Sequence, residues 1–154
     1  MKKEKAVFVS NLIIIVFASL SIFSASASAL KNVIETGLLI ENVDEEHRKC
    51  GITKNMIDAA VRIPLSNSKL TLTGRMVDSY IYVNVNAREI SNFCALNISL
   101  EFKKYIPSQG DVGSFWYVGG LAVWTKNNTP TMVSTTLEGF SKELVGAWIK
   151  ANSN

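Results

Sequence analysis

The strongest constraint in this sequence is a pair of neighbouring segments in which apolar and polar residues alternate. In residues 80–87 every second side chain is apolar: Ile81, Val83, Val85 and Ala87. Residues 93–105 repeat the pattern with Cys94, Leu96, Ile98, Leu100 and Phe102. Because successive side chains of a strand point to opposite faces, each segment predicts a strand with one apolar face. The short polar join predicts an antiparallel hairpin that packs one face on the core.

The segments before the hairpin predict two short strands and a helix. Residues 32–43 alternate at a period of two and predict a first strand, and the charged run 44–49 predicts a solvated loop. A helix is expected to begin at Thr53, a favourable N-cap, because apolar residues recur after it at helical spacing. Pro64 should end or kink this helix. A short strand-like piece follows at residues 69–73.

The segments after the hairpin predict one more strand and a closing helix. Residues 114–125 are rich in aromatic and β-branched side chains, and Gly119-Gly120 suggests a bulge or bend in that strand. Thr135 and Glu138 have the spacing of a capping box. One apolar stripe marks the helix: Val133, Leu137, Phe140, Leu144, Trp148 and Ile149. The order β-α-β-β-β-α, with the short strand at 69–73 in addition, predicts an α+β fold, a small antiparallel sheet with two helices packed on one face.

Two cysteines, Cys50 and Cys94, add a further constraint. In an oxidising compartment such a pair in a small domain most simply forms one disulfide. Cys94 lies on the apolar face of the hairpin, and a helix packed there would bring Cys50 within reach. A reactive thiol and two free or intermolecular thiols remain as alternatives, although no Cys-x-x-Cys occurs and the only histidine is His47.

The N-terminus predicts a secretory signal peptide over residues 1–29. A basic start is followed by an apolar run at 12–23 and by small residues at alternate positions. The small residues fit cleavage after either Ala27 or Ala29, and we prefer Ala29. The alternative is an uncleaved anchor, but the apolar run is shorter than the roughly 20 residues that a spanning helix needs. Cleavage leaves residues 30–154 as a single α+β domain, periplasmic or secreted.

The charge balance argues against several partners. The whole chain carries a net charge of +3, but the predicted domain 30–154 has 13 basic and 12 acidic residues. Such a near-neutral domain is not expected to bind nucleic acid or anionic lipid. The predicted domain has no second apolar run long enough to span a bilayer, so we expect no stable membrane insertion after cleavage. The oligomeric state is left open.

Three segments in combination resemble a known group of proteins: Cys50-Gly51-Ile52-Thr53, then residues 79–86, and a closing helix at 148–152. They resemble small exported bacterial proteins of no assigned function, which share a CGLT-type start of a helix, a YLYVNVN-type strand and a C-terminal amphipathic helix. The resemblance covers most of the predicted domain. It implies bacterial export and an α/β sandwich, and it implies no catalytic residues. Pro64 departs from the longer first helix of that group.

No catalytic motif is recognisable in the sequence. There is no Gly-x-Ser-x-Gly elbow, no phosphate-binding glycine loop, and one histidine leaves no zinc site; we therefore expect no cofactor and no metal. A small glycan-directed hydrolase remains an alternative because several carboxylates could meet in space: Glu35, Glu41, Asp78, Glu89 and Glu101.

Two groups of side chains predict a binding surface. The polar face of the hairpin carries Tyr80, Tyr82, Asn84 and Asn86, residue types that recognition surfaces favour, unless a second layer covers them. The second group is the aromatic strand with Phe115, Trp116, Tyr117 and Trp124, which could stack on sugars, anchor a partner or fill the core. The sequence therefore predicts an exported, non-catalytic binding or accessory protein of the bacterial cell envelope, contacting another envelope or extracellular protein. A secreted enzyme inhibitor, acting through a protruding loop at 106–114, is a further alternative.

Overall fold

A computed structural model describes residues 27–74 and 78–153 of the chain. Most of the predicted signal peptide, residues 1–26, lies outside the described residues. The elements in chain order are α1 (Ala27–Leu30), β1 (Glu35–Ile40), α2 (Glu45–Lys49), α3 (Lys54–Ser66), β2 (Thr71–Thr73), β3 (Ser79–Ile90), β4 (Phe93–Ile106), β5 (Asp111–Thr125) and α4 (Thr129–Asn152).

The strands form one sheet in the order β2-β1-β3-β4-β5. The predicted hairpin is confirmed as β3 and β4, and β5 extends it in antiparallel fashion. The α+β class is confirmed as well, but the sheet is mixed, because β1 runs parallel to both β2 and β3. The crossover through α3 returns the chain in its original direction, which is the connection that a parallel pair requires.

The core lies between one face of the sheet and the two long helices, α3 and α4. The alternation in the hairpin is confirmed, since the apolar positions of β3 and β4 point to this inner face and are buried, apart from the partly buried Ala87. The helices close the core with Ile57, Ala60, Val61, Leu65, Val133, Leu137 and Leu144. Burial of these side chains supplies the main driving force for the fold.

The charged run at 44–49 was expected to be a loop, and this was wrong: residues 45–49 form the short helix α2. Asp44 caps it, because its carboxylate accepts the backbone N–H of His47. Acidic residues fill the first turn and basic residues the last, an order that complements the helix dipole. The predicted cap of α3 is confirmed, with Thr53 accepting the N–H of Met56 at 3.3 Å.

Three local boundaries differ from the sequence predictions. Pro64 lies inside α3, two residues before its end. α4 begins at Thr129 with a proline in its first turn, a position that tolerates the missing N–H, so the predicted capping box falls inside the helix. The irregularity of β5 lies at Phe115, which has no partner between the pairs formed by Trp116 and Ser114, whereas Gly119 and Gly120 are regularly paired.

The predicted disulfide is confirmed. Cys50 and Cys94 are bonded, with a Cα–Cα distance of 6.0 Å, and both are fully buried. The alternatives with reactive or free thiols are wrong, because the described residues contain no free cysteine. The bond fixes the junction between α2 and α3 to the inner face of β4.

Candidate functional site

The side of the sheet that faces away from the helices is the candidate site, and we call it the outer face. Antiparallel pairing places Tyr82, Glu101 and Tyr117 in one row across it, and Asn84, Ser99 and Gly119 in the next. Tyr80, Tyr82 and Asn84 are partly buried and Asn86 is exposed. The structure thus brings the four predicted hairpin residues together on one surface, and in the described part of the chain no second layer of secondary structure lies over it.

Hydrogen bonds order the polar centre of the outer face. Asn86 Nδ2 donates to Asn84 Oδ1 at 2.7 Å, and Asn84 Nδ2 donates in turn to the carboxylate of Glu41. This line of amides runs from β3 to the end of β1. A polar surface whose side chains already hold one another in place loses little conformational entropy when a partner binds.

A second set of contacts surrounds Tyr82. Lys103 Nζ lies 4.6 Å from the centre of the Tyr82 ring and 3.5 Å from a carboxylate oxygen of Glu101. Burial raises the pKa of the Tyr82 hydroxyl above its ordinary value. The phenol therefore remains protonated at physiological pH, and its hydroxyl takes part in hydrogen bonds with Asn84 and Glu41.

Apolar side chains flank this polar centre. Seven of the ten exposed large hydrophobic side chains in residues 27–74 and 78–153 lie on the outer face: Leu39, Ile90, Phe93, Tyr105, Val112, Leu121 and Val123. Tyr105 and Val112 pair near the β4–β5 turn, and Ile90 pairs with Phe93 at the opposite end. Exposed apolar residues concentrated on one face are typical of interaction surfaces rather than of bare monomer surfaces.

The two predicted tryptophans do not belong to this surface. Trp116 pairs with Phe102 on the inner face and is only 7% exposed, so it is a core residue. Trp124 pairs with Cys94 on the same inner face and is partly buried. The six residues predicted as one surface are therefore divided between the two sides of the sheet.

Sequence reasoning named Tyr117 as a candidate but missed the other β4 and β5 contributions to the outer face, above all Phe93, Leu121 and Val123. The signal that could have found them is the same period of two. Once β5 is aligned on its buried residues Trp116 and Val118, the odd-numbered positions that follow must point outward.

Three of the carboxylates that a glycan hydrolase could use have partners within the chain. Glu41 accepts from Asn84 and Glu101 pairs with Lys103, both on the outer face. Glu89 pairs with Lys126 at 2.5 Å and lies on the inner side, in register with Cys94. No group of three or more metal-binding side chains is found among residues 27–74 and 78–153.

Two further features bear on the alternatives. The predicted protruding loop at 106–114 is mostly strand, and the β4–β5 connection is a four-residue turn over 107–110. A four-residue turn is short for a protruding loop of the kind that an enzyme inhibitor would use. Within the described ranges, no helix combines the length and the apolar character needed to cross a bilayer.

Comparison with known proteins gives distant structural similarity only. No family model and no curated protein matches the chain. Among solved structures, a PelC dodecamer from Paraburkholderia phytofirmans is similar over 81% of this chain and 97% of its own, at 11% identity and a TM-score of 0.47. A minor lipoprotein from Acinetobacter baumannii is similar over 75% of this chain and 90% of its own, at 7% identity and a TM-score of 0.45. Similarity of this degree carries no functional argument.

Proposed function

We propose that this chain is an exported, non-catalytic binding protein of the bacterial cell envelope that contacts another protein through its outer face. The observation that supports this proposal is the outer face. No other element of the described residues covers it, and most of the exposed large apolar side chains lie on it, around ordered tyrosines and asparagines. Tyrosine and asparagine combine contact area with hydrogen bonding at low entropic cost, which suits protein recognition.

The chemistry of the outer face also indicates what kind of partner fits. Three of its charged side chains already have partners within the chain, Glu101 with Lys103 and Glu41 with Asn84. A highly charged partner would have to break these pairs. The surface is better matched by a protein patch that places apolar side chains over the two ends and hydrogen-bonding groups over the centre.

The disulfide supports an oxidising location for this function. Structural disulfides persist outside the cytoplasm and are rare within it. Processing after Ala29 would leave Leu30 as the first residue, and Leu30 is a buried core residue whose carbonyl accepts a hydrogen bond from Asn152. The predicted cut falls within α1, whose Ala29 is also buried.

Site-specific photo-cross-linking in the producing cell tests this proposal. A photoreactive residue at Asn86 on the outer face is compared with one at Lys142, which is exposed on α4. We expect an adduct with a different protein, identified by mass spectrometry, from position 86 only. Phe93→Lys should abolish that adduct, and Ile63→Lys, on the exposed side of α3, should not.

Three outcomes would contradict the proposal. These are equal cross-linking from both positions, an adduct that Phe93→Lys leaves unchanged, and turnover of a peptidoglycan substrate by the purified protein with no adduct from position 86. The last would instead favour the hydrolase.

A further inference from the structure

The β5 strand is a long sheet edge without protection. It spans 15 residues and pairs with β4 along one side, and the described chain provides no strand for its other side. Monomeric proteins usually guard such edges with charges, prolines or short length. β5 contains no proline and no charged residue after Asp111, whereas the opposite edge strand, β2, is only three residues long.

We propose that β5 pairs antiparallel with β5 of a second copy of this chain, giving a two-fold symmetric dimer with one continuous sheet. Pairing through main-chain hydrogen bonds is the usual way in which a free edge recruits a strand. A two-fold axis makes the contact close on itself, so the edge of each copy is covered by the other.

The alternation of side chains fixes the possible registers. Opposed residues must share a face, and nearly full overlap of the two strands then places either Val118 or Gly119 opposite its own copy. We take the register centred on Gly119, because it places a lysine opposite the acidic residue at each strand end. In this register Tyr117 lies opposite Leu121 of the partner subunit on the outer face. Leu121 is 63% exposed in the single chain, and an aromatic–aliphatic cross-strand pair would cover it.

The bulge at Phe115 adds one residue and shifts the pairing beyond it by one position. Ser114 then lies opposite Val123 of the partner subunit, and Asp111 lies opposite Lys126 of the partner subunit. The symmetry repeats this opposite-charge pair at the other end of the strand. A parallel arrangement would instead place the two Asp111 carboxylates at the same end.

This charge match is the reason for assigning a second copy to the edge, rather than an unrelated strand. The only acidic residue of β5 lies at its beginning, and a lysine directly follows its end. An antiparallel copy therefore places Lys126, which already pairs with Glu89 of its own chain, beside a second carboxylate at both ends. The inference is independent of the proposed function, although a dimer of this kind would join the two outer faces into one surface.

Sedimentation equilibrium tests the proposal on the chain as recovered from the periplasm of an expressing bacterium, with its disulfide formed. We expect a monomer–dimer equilibrium that Leu121→Lys weakens at least tenfold, because it places two lysines beside the axis. Ile63→Lys is the matched control, since Ile63 has a similar exposure of 59% but lies on α3. It should leave the equilibrium unchanged.

Hydrogen exchange gives a second measurement that needs no substitution. Amides of β5 should gain protection as the protein concentration rises through the dimer dissociation constant, and amides of β2 should not. A monomer at every concentration overturns the proposal. So does a dimer whose β5 exchange is independent of concentration, or one that Leu121→Lys does not weaken.

Discussion

The imidazole of His47 donates a hydrogen bond from Nε2 to the backbone carbonyl of Val85, and so joins α2 to the middle of β3. On its other side, Nδ1 lies 2.6 Å from the carboxylate of Asp44, the N-cap of the same helix. His47 is buried, so its contact with Val85 is shielded from water, whereas the Asp44 side chain is 61% exposed. The only histidine of the chain is therefore used to fix a five-residue helix to the sheet.

We expect His47→Ala to destabilise the protein by about 1–3 kcal/mol, because the substitution leaves the buried carbonyl of Val85 without its partner. The free energy of unfolding, measured in urea, checks this value. Arg48→Ala is the control: Arg48 is the exposed neighbour, and its loss should change the stability by less than about 0.5 kcal/mol. Equal effects of the two substitutions would show that the His47 contact is unimportant.

A second prediction concerns how the free energy of unfolding changes at acid pH. Hydrogen bonds from the side chain and the backbone of His47 lower the pKa of Asp44. A carboxyl with a lowered folded-state pKa contributes stability above its unfolded pKa, about 3.9, and loses that contribution as the pH falls through the folded value. Asp44→Asn should therefore destabilise the protein at pH 7 and have a progressively smaller effect below pH of about 4.

Asparagine is the suitable replacement because it remains a good N-cap, so the helix start is retained. The measurement is urea unfolding of both proteins between pH 7 and pH 3. If the difference in unfolding free energy stays constant over this range, the ionisation of Asp44 is not what stabilises α2.

The hairpin could be predicted because its alternation is written into consecutive residues, and the disulfide because two cysteines in an exported domain most simply pair with each other. α2 could not, because a five-residue helix has little intrinsic stability and this one depends on the contact from His47 to Val85, 38 positions away. The parallel pairing of β1 was missed for a related reason. Alternation shows which face a strand buries, but the direction of its neighbours depends on the path of the connecting helix.

The site was predictable to a similar extent. The outward direction of Tyr82 and Asn84 follows from the burial of Val83 between them. Residue type gives no such information for Trp116, whose side chain suits a core and a binding surface equally. Its face is set by pairing with Phe102, next to a bulge that the sequence pattern placed at the wrong residues.

A third prediction tests the role of the disulfide. The bond closes a loop across 44 positions, and in the chain-entropy view a loop of this length stabilises the fold by about 3–4 kcal/mol. The double substitution Cys50→Ser with Cys94→Ser should lower the unfolding free energy by that amount. Reductant should destabilise the original protein but leave the doubly substituted one unchanged. Insensitivity of both proteins to reductant would contradict the prediction.

The last prediction compares two adjacent glycines of β5. A Cβ at Gly119 would lie 2.5 Å from the hydroxyl oxygen of Tyr117 and 2.9 Å from Cβ of Ser99, whereas a Cβ at Gly120 would meet no atom within 4 Å. Gly119→Ala must displace the tyrosine ring or spread the strands, at a cost of about 1–3 kcal/mol. Gly120→Ala should change the stability by less than about 1 kcal/mol, with a gain possible from the stiffer unfolded chain. Thermal unfolding of both variants below the dimer dissociation constant gives the comparison, and equal midpoints would show that the Tyr117 ring swings away freely.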